Sequence, residues 1–421
     1  MKKRKSKEIN DKELVKKFIK IINISVDEEE EKEIDFFTSK LNIDEKVNVI
    51  NEIETIQSII YNDTPQLFQL IEKKIPIEYK SIVLKKINDI KNNTSDSSEK
   101  YKLQNWIYSF FKLPFHKTIP FPVSFSDKQK SMNYLKECEV LLDNCTYGMN
   151  NVKEQFLQII GKWIVNPIAI GNVIGLKGPM GVGKTTIIKN GISKILNRPF
   201  SFVALGGAND GSYLDGHSYT YEGSTYGKIV DVLIQSKTLN PIIFFDELDK
   251  ISQTEKGSEI IGILTHITDS TQNNTFTDKY FSEISIDLSK CLFIFSFNDE
   301  SLINTILKDR MTIINVNGYD KKDKIIICKK YIIPEILKEY SFLHNEIVFN
   351  DEIIDYIIDK TKTEQGVRNI KRNIETIISK INLIRIKSDS FDNNFIVNKN
   401  NIDDFLNINV DEKNNYNMMY L

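Results

Sequence analysis

The stretch Gly178-Pro179-Met180-Gly181-Val182-Gly183-Lys184-Thr185 reads G-x-x-x-x-G-K-T, and its setting decides the fold. The apolar-leaning Val173-Ile174-Gly175-Leu176 precedes it, and a helix-like run from Thr185 to Leu196 follows. The pattern works where a strand turns into a helix. Glycines let the backbone curl around a phosphate with its N–H groups pointing inward. Lys184 is placed to reach the β- and γ-phosphates, and the Thr185 hydroxyl to ligate Mg²⁺. The helix N-terminus adds a partial positive charge. A chance glycine-rich turn is the alternative, and the complete pattern in strand–helix context speaks against it. The chain is expected to bind a nucleoside triphosphate along Gly178 to Thr185, with Thr186 just beyond.

Downstream, Ile242-Ile243-Phe244-Phe245-Asp246-Glu247 is an apolar run ending in two carboxylates. A buried parallel strand delivers its C-terminal residues to the ligand crevice of an open α/β sheet. Asp246 is then placed to hold Mg²⁺ beside Thr185, and Glu247 to orient and deprotonate an attacking water. Phe293-Ile294-Phe295-Ser296-Phe297-Asn298 repeats the theme, with Asn298 placed to hydrogen-bond the γ-phosphate or that water. Beyond it, Arg310 in Leu307-Lys308-Asp309-Arg310-Met311 is a candidate for charge supplied to a neighbouring subunit's γ-phosphate. A surface salt bridge is the plainer reading of that arginine.

Four short apolar runs, Val173–Leu176, Phe200–Leu205, Ile242–Phe245 and Cys291–Phe297, read as buried parallel strands alternating with helices. They imply a three-layer αβα P-loop domain over 141–315. Helical periodicity dominates on both sides. Before it lie a helical N-terminal region (1–115) and a proline-marked extended linker (116–140). A small helical lid (316–408) and a polar tail (409–421) follow. The stripe Ile370, Ile374, Ile377, Ile378 and Ile381 belongs to the lid, and Val47, Ile50, Ile53, Ile56 and Ile60 to the N-terminal region. Proline at Thr64-Pro65 and Ile75-Pro76 marks helix boundaries. The aromatic cluster Trp106, Tyr108, Phe110, Phe111 and Phe115 reads as core rather than as a base-stacking surface.

The residues carry a family resemblance. Lys-Thr after the P-loop, Asp246-Glu247, Asn298 and Asp309-Arg310 resemble an AAA+ ATPase. Further stretches resemble the ATPase module of the Lon protease family. Leu205-Gly206-Gly207-Ala208-Asn209-Asp210 is similar to S-L-G-G-x-x-D, and Asp246-Glu247-Leu248-Asp249-Lys250 to D-E-I-D-K. Gly216-His217 with Thr220-Tyr221-Glu222-Gly223 resembles R-G-H-x-x-T-Y-x-G, and Gln272 to Asp278 resembles E-Q-N-x-x-F-x-D. Tyr147-Gly148-Met149, Gly318-Tyr319 and Gln365-Gly366-Val367-Arg368 match the nucleotide-pocket and lid motifs. The likeness runs from about Ile75 to Leu406.

The resemblance implies ATP and Mg²⁺ as ligands and a homo-oligomeric, hexameric ring acting on polypeptide. Asn298 would be the sensor-1 residue, Arg310 the trans-acting arginine finger and Arg368 the sensor-2 arginine. Tyr147, Gly148, Tyr319 and Val367 would lie near adenine or ribose, and Tyr221 would be the pore-loop aromatic. Glu222 stands where the family has an apolar partner for that tyrosine. The Ser–Lys peptidase domain has no counterpart in these residues, so a protein remodeller is expected, or the ATPase partner of a separate Lon-type peptidase in protein quality control. A nucleic-acid-associated AAA+ ATPase is the alternative, resting on Lys321-Lys322 and the basic start Met1 to Lys5. A nucleotide-dependent scaffold is a further one, resting on Glu222.

Composition constrains the rest. The 421 residues exceed one ordinary core, and a net charge of −2 gives no global pull toward nucleic acid. Four cysteines without C-x-x-C spacing argue against a zinc site or disulfide framework and for a reducing intracellular, cytoplasmic setting. The basic start reads as a solvated tail, with nuclear localisation as the alternative. No apolar run reaches the length of a bilayer span, so no membrane partner is expected.

Overall fold

A computed structural model describes residues 11–22, 28–60, 64–92, 97–167, 173–208, 210–343, 346–387 and 395–406. The basic start, Asp27, the polar run 93–96, Asn209 and the tail beyond Leu406 lie outside the described residues. The chain divides into two compact units, Met1–Lys73 and Lys74–Leu421.

In the first unit, helices Asp11–Ile22, Glu28–Ser39 and Ile43–Ile60 enclose a small core of Leu14, Phe18, Phe37 and Ile50, with Phe18 and Phe37 stacked at 3.8 Å. Within the expected stripe, Ile50 is buried and Val47 and Ile53 pack against that core. The side chains of Ile56 and Ile60 lie outside the described residues. A short helix, Gln66–Glu72, begins directly after Pro65.

The second unit is built on five parallel strands, β1 (Val173–Lys177), β2 (Phe200–Ala204), β3 (Ile242–Asp246), β4 (Leu292–Phe297) and β5 (Thr312–Asn315). Their order across the sheet is β2-β3-β4-β1-β5. All six residues of β4 are buried, as are the first four of β3, because helices cover both faces of a parallel sheet. Ile174, Leu176, Ile242, Phe244, Leu292, Ile294 and Ile314 share one face with helices Lys128–Cys145 and Asn150–Val165 and with the helical run 184–196. The alternate residues Ile243, Phe245, Phe293 and Phe295 are as deeply buried on the other face. The register fixes the site. Phe245 lies opposite Phe295, and Leu176 opposite Ser296, so β1, β3 and β4 end level with one another.

Two expectations change. Residues 116–140 are only partly extended, since a helix spans Lys128–Cys145 and buries Cys138 and Leu142 against the P-loop helix. Gly191 makes that contact close, because a Cβ there would sit 3.1 Å from Leu142 Cδ2. The extended part is strapped to the sheet by Asn240, whose Nδ2 donates to Ile119 O and whose Oδ1 accepts from Ile119 N, both at 2.9 Å. The helical region expected over 1–115 is also split. Helices Ile77–Asn92 and Ser97–Lys112 belong to the second unit, where Trp106 Nε1 donates to Tyr280 O at 2.9 Å and its ring packs edge-on to Phe281. Trp106 and Phe110 are fully buried there, and Tyr108 is exposed.

The region expected to form a lid contains helices Asp351–Lys360, Arg368–Lys387 and Lys399–Phe405 and a helical run over 321–339. Ile370, Ile374, Ile377, Ile378 and Ile381 form the buried stripe at its centre.

Candidate nucleotide-binding site

Where β1 ends, the chain turns through a loop whose conformation only glycine adopts without strain: Gly181 has φ +75° and Gly183 φ +95°. Gly178 has a different reason for being glycine, since a Cβ there would overlap the Val316 carbonyl oxygen. The helix then starts at Lys184 and includes a π turn over Ile187–Ile192. Such turns recur at functional sites.

Lys184 folds back over the loop that precedes it. Its Nζ donates to Gly178 O, to Pro179 O at 3.3 Å, to Phe297 O at 3.4 Å and to Asn298 Oδ1 at 3.1 Å. Burial lowers its pKa, while Asp246 and Asp249 act in the opposite direction. The ammonium is thus held between the ends of β1 and β4, in reach of whatever the loop encloses.

Asp246 ends β3, and Glu247 follows in the left-handed region at φ +60°. This is an uncommon conformation for a residue with a Cβ and typical of functional turns. It directs the side chain toward Gly206, where an added Cβ would overlap Glu247 Oε2. Two residues on, Asp249 is buried within the short helix Leu248–Lys250. Its Oδ2 accepts from the backbone N–H groups of Asn298 at 3.3 Å and Asp299 at 3.2 Å. Its Oδ1 is buried without a hydrogen-bond partner.

The lid closes the other side. Val367 N–H donates to Gly181 O at 3.1 Å, and Tyr319 O–H donates to Val182 O at 2.7 Å. Gly366 lies so close to the loop that a Cβ would overlap the Met180 carbonyl oxygen. Burial pushes the Tyr319 hydroxyl up to about 12, with Asp323 adding to it, so it remains a donor at neutral pH.

Between these parts lies a cleft of about 780 Å³, within the usual range for a small-molecule site. Met180, Gly181, Val182, Gly183, Lys184, Thr185, Thr186, Asp246, Glu247, Asn298, Tyr147, Tyr319, Val367 and Arg368 all line it. Gly178 and Pro179 form the loop's first turn through their carbonyls. Gly148 lines an adjoining hollow together with Tyr147 and Tyr319. The cleft suits a magnesium-bound triphosphate. Its glycine-built cradle, Lys184 and Arg368 are complementary to anionic oxygens, and the Thr185 hydroxyl and Asp246 carboxylate are the hard oxygen donors Mg²⁺ takes. Among the described residues no group of three or more His, Cys, Asp or Glu side chains could hold a metal by itself. Mg²⁺ is commonly held by one or two protein oxygens plus water and phosphate.

Besides Gly148, Gly178 and Pro179, the expected site residues Arg310 and Tyr221 do not line the cleft. Arg310 follows helix Thr305–Asp309, and its guanidinium donates to Ile306 O and to Asp269 Oδ2, each at 2.9 Å. The Thr271 hydroxyl and N–H, together with Arg310, hold the Asp269 carboxyl well below the usual range. Tyr221 sits in an exposed loop with 68% of its surface accessible. Asp249 and Gly206 have site roles that the sequence does not announce, although they fall within Asp246–Lys250 and Leu205–Asp210. The signal for Asp249 was its place three residues after Asp246, one short helical turn beyond the strand.

The family description "ATPase family associated with various cellular activities (AAA)" matches residues 174–319. A "Lon protease homolog" of Acanthamoeba polyphaga mimivirus is 37% identical over 366 residues, 83% of this chain and 34% of that protein. A "Lon protease homolog, mitochondrial" of Candida albicans is 41% identical over 262 residues, 62% of this chain and 24% of that protein. A "Lon protease" of Clostridioides difficile is 33% identical over 333 residues, 79% of this chain and 40% of that protein. The chain thus spans between about a quarter and two fifths of the length of these three relatives.

Proposed function

The chain carries an AAA-family ATPase module similar to that of the Lon proteases, and from this premise we propose that it hydrolyses ATP in a ring and uses the cycle to remodel polypeptide. The observation that supports the reading most is the meeting of Lys184, Thr185, Asp246, Glu247, Asn298 and Arg368 on one cleft.

In this reading the loop 178–183 presents its N–H groups to the phosphates, and Lys184 and Arg368 take up negative charge on the γ-phosphoryl group. Thr185 and Asp246 would hold Mg²⁺, which would neutralise phosphate charge when bound. Glu247 accepts a proton from the water that attacks the γ-phosphorus. The bond from that phosphorus to the β–γ bridging oxygen breaks to release ADP and inorganic phosphate. Asn298, which accepts from Lys184, orients that water or the γ-phosphate. Tyr147, Tyr319, Ile327 and Val367 give the apolar surface against which a base packs.

Arg310 is bonded to Asp269 and does not line its own subunit's cleft. Its proposed role is therefore at a neighbouring copy's cleft, where added positive charge lowers the barrier to phosphoryl transfer. Mixed oligomers test this. Lys184→Ala and Arg310→Ala chains are each expected to be inactive, and an equimolar mixture is expected to regain turnover at interfaces pairing an intact loop with an intact arginine. A mixture no better than the sum of its parts would place Arg310 in cis and remove the ring argument.

Polypeptide as substrate rests on Tyr221, exposed beside Glu222. The nucleic-acid reading has less support, since Lys321 is paired with Asp355 at 2.8 Å and Asp359 at 2.7 Å. The basic start lies outside the described residues. An intracellular setting remains part of the proposal, supported by four free cysteines. Among the described residues no helix is long and apolar enough to cross a membrane.

A further inference from the structure

We propose that Lys86 and Lys102 are positioning residues that tether the Tyr221 loop to the helical hairpin Ile77–Asn92 and Ser97–Lys112, so that the hairpin sets how the loop engages polypeptide. This rests on the reading of Tyr221 as a polypeptide-contacting residue.

Lys86 is only 7% exposed, an unusual place for a lysine. Its ammonium pairs with Glu283 at 3.0 Å and lies 4.8 Å from the Trp106 ring centre and 4.5 Å from that of Tyr219. It also donates to the Tyr219 hydroxyl at 3.4 Å. Two ring faces and a carboxylate therefore compensate the buried charge. One of those rings belongs to the loop, two residues before Tyr221. Lys102, on the second helix of the hairpin, donates to Thr220 O at 2.9 Å, immediately before Tyr221.

Both ties fall on the N-terminal side of Tyr221. On the C-terminal side Gly223 has φ +71°, and a Cβ added there would meet nothing within 4 Å. The two hairpin ties are therefore on the N-terminal flank of the tip, whose turn is held by Tyr221 N–H to Ser218 O at 3.1 Å, and the loop closes at its base through His217 N–H to Thr225 O at 3.2 Å. A hairpin that shifts carries Tyr219 and Thr220 with it, and Tyr221 follows. If Lys86 served only the hairpin core, its removal would leave the loop and its response to polypeptide unchanged.

The test uses the full chain with Lys86→Met, which keeps an unbranched apolar side chain, Lys102→Ala, which leaves the buried core untouched, and Tyr221→Ala. Hydrogen exchange over 218–224 reads the tether. ATP turnover against the concentration of a reduced, alkylated, permanently unfolded protein reads its use. Lys86→Met is expected to speed exchange at the Tyr221 amide at least several-fold and to raise the half-saturating polypeptide concentration about three- to tenfold, with basal turnover unchanged. Lys102→Ala should do the same to a smaller extent, and Lys86→Arg should restore much of the loss. Unchanged exchange in both lysine variants would overturn the tether. Faster exchange with unaltered half-saturation, where Tyr221→Ala abolishes stimulation, would overturn the coupling alone. Stimulation that survives Tyr221→Ala would instead remove the polypeptide-gripping reading, and the coupling with it, while the exchange data still report the tether.

Discussion

The Asp249 carboxylate accepts the backbone N–H of Asn298 at 3.3 Å, joining the turn after β3 to the end of β4. The same oxygen accepts from Asp299 at 3.2 Å, so one buried side chain fixes the backbone on which Asn298 stands. Asn298 in turn accepts from Lys184 at 3.1 Å. The chain of contacts runs from the carboxylate-bearing strand, through the neighbouring strand, to the P-loop lysine.

Replacing Asp249 by Asn keeps the volume and removes the charge from this acceptor. Hydrogen bonds to charged groups contribute about 1.5–3 kcal/mol, so kcat for ATP is expected to fall on the order of tenfold or more. KM for ATP should stay within about twofold, because the hydrogen bonds Asp249 makes go to the backbone at the end of β4 and not to the loop 178–183. Steady-state kinetics read both values; an unchanged kcat would show that Asn298 is held by other means.

Gly206→Ala is expected to act through Glu247. The added methyl would occupy the space of Glu247 Oε2, and the carboxylate has to swing away from its position in the cleft. Losing a positioned general base costs typically about 10²–10⁴-fold in rate, so turnover should drop toward that range while a fluorescent ATP analogue binds normally. Normal turnover in Gly206→Ala would mean that Glu247 acts from another rotamer.

Acid–base behaviour singles out Asp278, which is fully buried and accepts from Gly227 N and Tyr280 N at 2.8 Å each. Burial pushes its carboxyl from 3.8 up to about 7, with Asp215 adding to the rise and the Gly227 and Tyr280 donors opposing it. The native state therefore keeps a proton that the unfolded chain has released. Stability from this group is complete below about pH 4 and declines as pH rises through about 7. Thermal unfolding between pH 5 and 8 should show a falling Tm in the parent and a flatter profile in Asp278→Asn. Equal slopes would place the titration elsewhere.

Much of the site was legible because its chemistry is local. The P-loop, Asp246-Glu247 and Asn298 each sit at the end of a short apolar run, and a parallel sheet brings strand ends together whatever lies between them. β5 escaped notice, since Thr312-Ile313-Ile314-Asn315 is too short and too polar at its ends to stand out. The helix Lys128–Cys145 falls mostly in the expected linker because Pro120 and Pro122 just before it read as extended chain, although its own apolar residues, Leu135, Cys138, Leu141 and Leu142 among them, keep helical spacing. The roles of Asp249 and Gly206 depend on contacts across strands, and no spacing rule within one segment displays them. The salt bridge that is the plainer reading of Arg310 is present, but its partner Asp269 lies 41 residues away in the chain, and spacing could not name it.

The central claim is that this cleft turns over ATP with Glu247 as the base. The most direct measurement is ATP binding and steady-state hydrolysis by Glu247→Gln beside the parent, at saturating Mg²⁺. The account predicts that the variant binds ATP within about twofold of the parent and loses roughly 10²-fold or more of its turnover. Turnover equal to the parent's, with binding intact, would contradict it.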